Sequence, residues 1–307
     1  MDFKTWLDKH IFSASEIESY LLCPFRFYAQ SYLKLAPETR WEVEMTPAET
    51  GLILHRILER FLKEHKKEEG QEGLTSGILD LMEREVANFQ TSRPHLSQVL
   101  LDRHKKRISR TLLSFLEDYL HEGDKQKTLK PLHLEWSFGS DTSPLEIKGT
   151  NGKPIKIRGR VDRIDVDHAQ KRFLVIDYKT GSKKITGNEI RSGEALQLPL
   201  YILAVKKLLL KDYEPMGGLY YQLSDMTMAN GILHSERLPD FLELHPRSSS
   251  LVPDSEWNMI FSRVEDKVRH VVSQITEGRF ASGTKPCEPY CPYQDICRIR
   301  GEPVLIV

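Results

Sequence analysis

Gly159-Arg160-Val161-Asp162-Arg163-Ile164-Asp165 and Ile176-Asp177-Tyr178-Lys179-Thr180-Gly181 carry the densest chemistry in the chain. The segments that contain them, Ile155 to Val166 and Arg172 to Tyr178, read as strands joined by the polar turn Asp167 to Lys171, which makes a hairpin. Side chains alternate along a strand, so Asp177 and Lys179 share a face, and the facing strand can present Asp162 beside them. Two carboxylates meeting there would hold a hard divalent cation, Mg2+ or Mn2+, of the kind that serves phosphodiester hydrolysis. A neighbouring lysine would orient an attacking water or offset developing charge. Taken one at a time, these residues would be surface charges on an amphipathic strand and the start of a turn. Asp165 falls on the opposite face from Asp162, which suggests a structural salt link, to an arginine for example.

Outward from the hairpin, periodicity divides the chain. Ser13 and Glu16 have the form of a capping box, opening a helix over 14–34. Pro47 starts a second helix that places Leu54, Ile57, Leu58, Phe61 and Leu62 on one face. Segments 74–90 and 95–121 are helical without chemical motifs and read as an inserted helical subdomain over 64–130. From 131 the period shortens as Leu132, Leu134, Trp136 and Phe138 alternate, and Asn151-Gly152 marks a turn. A helix over 197–210, strands near 216–223 and 230–237, and a helix over 255–276 follow. Helices on both sides of a central run of strands imply an α/β or α+β domain with a mostly mixed sheet, expected as a single domain over 1–307.

Lysine plus arginine equals aspartate plus glutamate at 44 each, so any attraction to nucleic acid must come from local placement. Lys183 and Lys184, just after the Lys179 motif, are candidates for phosphate contacts; the alternative is a solvated turn. The longest apolar runs fall short of the roughly 20 residues a membrane helix needs. The polar helix at Met1-Asp2-Phe3-Lys4 lacks the pattern of a secretory signal, so a cytoplasmic location is expected. No GxxxxGK[ST] loop occurs, and ATP hydrolysis by this chain alone is not expected.

The four cysteines are Cys23, Cys287, Cys291 and Cys297, one near the start and three within 280–300. Four thiolates suffice for one [4Fe–4S] cluster, and also for structural zinc, although zinc ribbons usually show two close pairs. Disulfides are the weaker reading for a cytosolic chain.

These motifs together resemble the PD-(D/E)XK nuclease superfamily in its RecB-like form, GxxDRxD followed by DYKTG. The resemblance implies a restriction-endonuclease-like mixed sheet flanked by helices and a metal-dependent DNA nuclease. It implies Asp162, Asp177 and the Tyr178 carbonyl as metal ligands and Lys179 as the catalytic lysine. Alone, His55 in Gly51-Leu52-Ile53-Leu54-His55 would be a satisfied core histidine; in this family the equivalent setting supplies a metal ligand. Gln197 and Tyr201 match a downstream QxxxY motif and are expected to shape the site or contact DNA, the alternative being helix packing and capping. Pro199 between them must lie in a first helical turn or at a kink. Glu135 resembles a glutamate often found before the first of these motifs, with a role in supporting the site. The segments around Cys23 and Cys291 resemble the iron–sulfur segments of AddB-type nucleases, which implies a cluster that staples the chain ends, although the Cys287–Cys291 spacing departs from the family's pattern. The whole is similar to the C-terminal nuclease domain of AddB/RexB-type subunits, implying exonuclease action in DNA repair or recombination and a helicase–nuclease partner subunit. The rival reading is a non-catalytic DNA-binding or scaffolding domain on the same fold.

Overall fold

A computed structural model describes residues 2–35, 44–65, 69–125, 128–150, 152–239, 248–281, 291–293 and 296–297. Cys287 and Asn151 lie outside the described residues. The chain opens with helix α1 (Phe3–Lys9), strand β1 (Phe12–Ser13) and helix α2 (Ala14–Leu22). The capping box is present: the Ser13 side chain accepts from the Glu16 N–H, and Glu16 accepts from the Ser13 N–H. The single helix expected over 14–34 is broken at Cys23, which is extended at φ −157° and ψ 108°. The cause is local, because Pro24 disfavours the helical conformation in the residue before it. The chain resumes as α3 (Pro24–Phe27) and a π-helical turn (Tyr28–Tyr32).

Helix α4 (Pro47–Glu64) is capped by Thr46 and Glu49, followed by α5 (Gly70–Ser92) and α6 (Gln98–Lys125). Then come β2 (Lys130–Phe138), β3 (Leu145–Lys148), the long β4 (Pro154–Asp167) and β5 (Arg172–Lys179). After α7 (Gly187–Arg191), α8 (Gln197–Ala204) and a π-helical turn (Val205–Leu209) lie β6 (Glu214–Gln222), β7 (Thr227–His234), β8 (Leu251–Val252) and α9 (Asp254–Thr276).

Among the described residues the strands form one eight-stranded sheet in the order β1-β4-β5-β6-β7-β8, with β2 and β3 also pairing with β4. The sheet is mixed: β5–β6 is parallel, whereas β2–β4, β4–β5 and β6–β7 are antiparallel. A parallel pair cannot be joined by a tight turn, and α7 and α8 supply the crossover between β5 and β6. The β6–β7 pair needs glycine at two places: Gly217 and Gly231, both at φ +145°, would bring an added Cβ within 2.1 Å of the Ile232 and 2.2 Å of the Gly218 carbonyl oxygen, respectively.

Each face of the sheet has its own apolar core. On one side α2, α8 and α9 bury Ile17, Leu198, Ile202, Val264 and Val268 against Ile164, Phe173 and Val175. On the other side α4, α5 and α6 bury Ile57, Phe61, Ile78, Leu112 and Phe115 against Leu174, Ile176 and Leu219. Adjacent residues of β5 thus feed opposite layers, the α/β/α sandwich that its near-continuous apolar run requires. The short strands β1, β3 and β8 and helix α7 are too brief for periodicity to reveal. Among the described residues no helix is long and apolar enough to cross a membrane.

Candidate metal and catalytic centre

The site forms where the β4–β5 ladder parts. The two strands pair from Asp167 with Arg172 up to Arg163 with Ile176, and beyond that point the pairing stops. The Tyr178 N–H donates instead to Asp162 Oδ2 at 2.8 Å, so the carboxylate takes over a bond that the ladder would have made. This ties the backbone between the two motif residues to the neighbouring strand's acid. On the other side β5 stays paired with β6 through Lys179 and Gln222.

Opposite Asp162, strand β2 brings Glu135. The register runs from Leu134 with Arg163 to Trp136 with Val161, skipping Glu135, which is left-handed at φ 53°. A non-glycine residue there costs about 1–2 kcal/mol, and such strain concentrates at functional sites. His55 enters from α4, its Nδ1 lying 3.4 Å from Asp162 Oδ1 and 3.6 Å from Glu135 Oε1. One ligand atom each from His55, Glu135 and Asp162 lie within 4.8 Å of one another. Two ligands about 2.1 Å from a bound Mg2+ stand at most about 4.2 Å apart, so small side-chain shifts suffice.

Asp177, beside this trio, is 2% exposed. Its Oδ1 accepts from Gln197 Nε2 at 2.7 Å, and its Oδ2 faces Lys179 Nζ at 2.7 Å without a well-directed hydrogen bond. Lys179 Nζ in turn donates to Gln197 Oε1 at 2.7 Å, and Gln197 Nε2 also reaches the Tyr201 hydroxyl at 3.3 Å. Gln197 is the first residue of α8 and Pro199 lies in its first turn, where a missing N–H leaves no helical bond unmade. Gly159 lets Phe138 and Tyr201 close over β4, since an added Cβ would meet both rings at 2.7–2.8 Å.

The electrostatics ask for a cation. Burial pushes the Asp177 carboxyl up to about 6, the neighbouring Asp162 charge adds to this, and Lys179 and His55 oppose it. Burial alone would hold His55 neutral, yet Asp162, Glu135 and Asp177 push it up to about 10. Three carboxylates face the cations His55, Lys179 and Arg160, whose Nε lies 2.8 Å from Glu135 Oε2. A proton on His55 completes that balance, and it is the group a divalent cation would displace. The donor set, carboxylate oxygens with one imidazole, fits Mg2+ or Mn2+.

All the sequence-named residues His55, Asp162, Asp177, Tyr178, Lys179, Gln197 and Tyr201 therefore converge at one end of the sheet. Glu135 stands closer to the centre than a supporting role suggests, forming the ligand trio in which Asp177 is not included. Sequence reading missed Glu18 of α2, whose Oε1 accepts from the Leu196 and Gln197 N–H groups at 2.6 and 3.2 Å and so caps α8. Burial raises its pKa against those bonds and the charges of Lys179 and Lys183. No local pattern could reveal a cap supplied from 178 residues away. Lys184 pairs with Asp225 at 2.6 Å on the surface, which engages one of the two lysines proposed to touch phosphate.

The shared cluster expected of the cysteines is not seen in the described geometry. Cys23, Cys291 and Cys297 are free, half-buried, and form no group of ligand atoms among the described residues. The chain ends nevertheless meet: the buried Tyr293 donates its hydroxyl to the Leu35 carbonyl at 2.9 Å.

Comparison with known proteins agrees with this geometry. The PD-(D/E)XK nuclease superfamily model matches residues 11–298. Similar curated relatives are each named as the B-type subunit of an ATP-dependent helicase/deoxyribonuclease. That of Moorella thermoacetica is 32% identical over 226 residues, covering 68% of this chain and 19% of the relative. That of Symbiobacterium thermophilum is 32% identical over 237 residues, covering 71% and 20%. A Thermoanaerobacter relative is 23% identical over 357 residues, covering 96% of this chain and 30% of its own length. The chain thus spans a fifth to under a third of the length of these relatives. With its carboxylates, lysine and histidine gathered at the parting of β4 and β5 inside a family match that runs almost end to end, this chain belongs to the PD-(D/E)XK nuclease superfamily.

Proposed function

We propose that the chain is a divalent-metal-dependent deoxyribonuclease, an exonuclease acting in the cytoplasm in DNA repair or recombination. The observation that carries this reading is the convergence of His55, Glu135 and Asp162 beside the Asp177–Lys179–Gln197 triad. Asp162, Asp177, His55 and the Tyr178 carbonyl would hold Mg2+ or Mn2+, with Glu135 as a further ligand. Bound there, the cation supplies Lewis acidity at the scissile phosphate. Lys179, held between Asp177 and Gln197, is placed to orient a water and to offset charge gathering on phosphate oxygens. Gln197 fixes both Lys179 and Asp177, and Tyr201 steadies Gln197 from one helical turn further on.

The relatives' name supports DNA as substrate and a helicase–nuclease complex as setting, with a partner subunit. We read residues 1–307 as one catalytic domain with 64–130 inserted into it. A [4Fe–4S] cluster on Cys23, Cys287, Cys291 and Cys297 rests on the one-plus-three spacing and on the meeting of the chain ends at Tyr293 and Leu35. Anaerobically purified protein would then contain about four irons per chain; stoichiometric zinc or no metal would remove the cluster.

The deciding experiment incubates the purified chain with end-labelled linear single- and double-stranded DNA and Mg2+ or Mn2+. Progressive shortening from an end that stops in EDTA and is lost in Asp177→Ala is the expected result. Cleavage that persists in chelator ends the metal reading, and DNA binding without cleavage would favour the non-catalytic alternative.

A further inference from the structure

Beside the centre lies a second feature that the reaction as described does not use. A cleft of about 370 Å3 opens between the start of α4, the middle of α6 and the loops that follow β5 and β6. This is at the small end of the roughly 300–1,000 Å3 of ligand pockets. Among the described residues its lining includes Thr50, Thr111, Thr180, Ser182, Ser224 and Arg107, and no acidic residue. Hydroxyl and guanidinium groups without an acid suit an anion, and a phosphodiester accepts from both.

The cleft adjoins the centre through chain neighbours, since Leu54 precedes His55 and Thr180 follows Lys179, and its floor is held in place. Thr180 directly follows Lys179 and packs against α4, where a Cβ on Gly51 would come 3.1 Å from its hydroxyl oxygen. The Leu223 N–H donates to the Lys179 carbonyl at 2.8 Å, and the Gln222 side-chain amide donates to the Gly181 carbonyl. The loop is thus pinned to β6 at both ends of its first turn.

Helix α6 brings charge to the rim. Its core face carries Leu101, Ile108, Leu112 and Phe115. Arg103, Arg107 and Arg110 recur at helical spacing on the opposite side, with Lys106 next to them, and all four are exposed. None of them has a carboxylate partner among the described residues, whereas Lys105, turned toward α5, pairs with Glu83 at 2.6 Å. In a chain with equal numbers of acidic and basic residues, four unpaired cations on one face form a local field.

We propose that the Arg103–Lys106–Arg107–Arg110 face of α6 and the adjoining cleft form a track for the nucleic-acid backbone, with Arg107 and the Thr180–Ser182 loop holding a phosphate next to the one that is cut. This deepens the nuclease reading and rests on it for the identity of the strand. It gives the helical segment a task in substrate binding, in addition to covering the sheet.

The test measures binding of a fluorescent single-stranded oligonucleotide to the full chain in EDTA, over a series of salt concentrations, separately from cleavage. Arg103→Ala/Arg107→Ala should weaken binding about tenfold and lower the slope of log affinity against log salt by about 1–2, because each lost phosphate contact removes about 0.7. Arg107→Lys should recover much of the loss, and Lys105→Ala, which removes the same charge from the same helix, should bind like the parent. In cleavage, Arg107→Ala should raise KM by a larger factor than it lowers kcat. Equal binding and an equal salt slope in the double variant overturn the track, as does an equal loss in Lys105→Ala. A parent that binds through this face but does not cut leaves the track standing and defeats the nuclease reading; a parent that binds no DNA defeats both.

Discussion

Two acidic sites sit back to back on β4, at Asp165 and at Asp162, and they solve burial in opposite ways. Asp165, fully buried, receives both Nε and Nη2 of Arg163 at 2.7 and 2.6 Å. One carboxylate meets one guanidinium in a bidentate pair, and the charges cancel within the strand. On the other face Asp162 and Asp177 are also buried and share His55 and Lys179, and burial, with the Asp162 charge adding to it, lifts Asp177. The first arrangement is closed and has nothing to offer a ligand. The second is held short of satisfaction, and a site that needs a cation is the one able to bind it.

The sharpest test of that contrast separates activity from stability. Asp177→Asn should lower cleavage by at least about a hundredfold, the scale on which placed electrostatic groups act. It should also make the metal-free protein more stable at neutral pH. The sign follows from the raised pKa: the unfolded chain loses this proton near 3.8 and the folded chain only near 6, so folding is penalised once both have ionised. Removing the charge removes the penalty, and a melting curve in EDTA that shifts downward would contradict the account. Arg163→Met should do the reverse, costing about 3–5 kcal/mol by stranding Asp165, while Arg163→Met/Asp165→Leu recovers most of that loss. Urea unfolding of the three proteins would show it, and a single variant as stable as the parent would mean that the pair is not needed.

Next in size is a pH effect. His55 carries a proton up to about 10 in the metal-free protein, and Asp177 below about 6. A ligand imidazole must be neutral, so binding expels a proton, and affinity should rise as pH rises, up to about tenfold per unit between 6 and 9. Calorimetry with Mn2+ in buffers of different ionisation enthalpy counts the released protons; a count of zero would show that His55 is not a ligand. In His55→Gln the pH slope should flatten.

The smallest expected effects concern the supports. Glu18→Ala should cost about 1–2 kcal/mol through loss of the α8 cap and should disturb Gln197, seen as a lower kcat at unchanged metal affinity. Glu135→Gly should relieve a left-handed backbone and gain up to about 1 kcal/mol while weakening metal binding. If Glu135→Gly binds Mn2+ like the parent, Glu135 is a neighbour of the site and not part of it.

What the sequence determined by itself was whatever short range decides. The β4–β5 hairpin, the pairing of Asp177 with Lys179 on one face, the capping box at Ser13 and the position of Pro199 in a first helical turn follow from strand alternation, cap chemistry and proline's missing donor. Each of these acts within a few residues. The salt link at Asp165 was legible for the same reason, since its partner is Arg163, two residues away. The break at Cys23 was also local, written in Pro24, but a strong apolar period across 14–34 hides it. Only the tertiary structure decided what distance separates in sequence. Glu135 became a ligand neighbour because β2 pairs with β4 in a register that sets it across from Asp162. Glu18 became the cap of α8 because α2 packs on the same face of the sheet. The parting of β4 from β5 beyond Arg163 and Ile176, which frees the Tyr178 N–H for Asp162, is marked by no pattern within either strand. Pattern is a property of neighbours in the chain, whereas charge balance in a buried site is set by every group the fold brings within reach, and Coulomb energy in that dry interior does not depend on sequence separation.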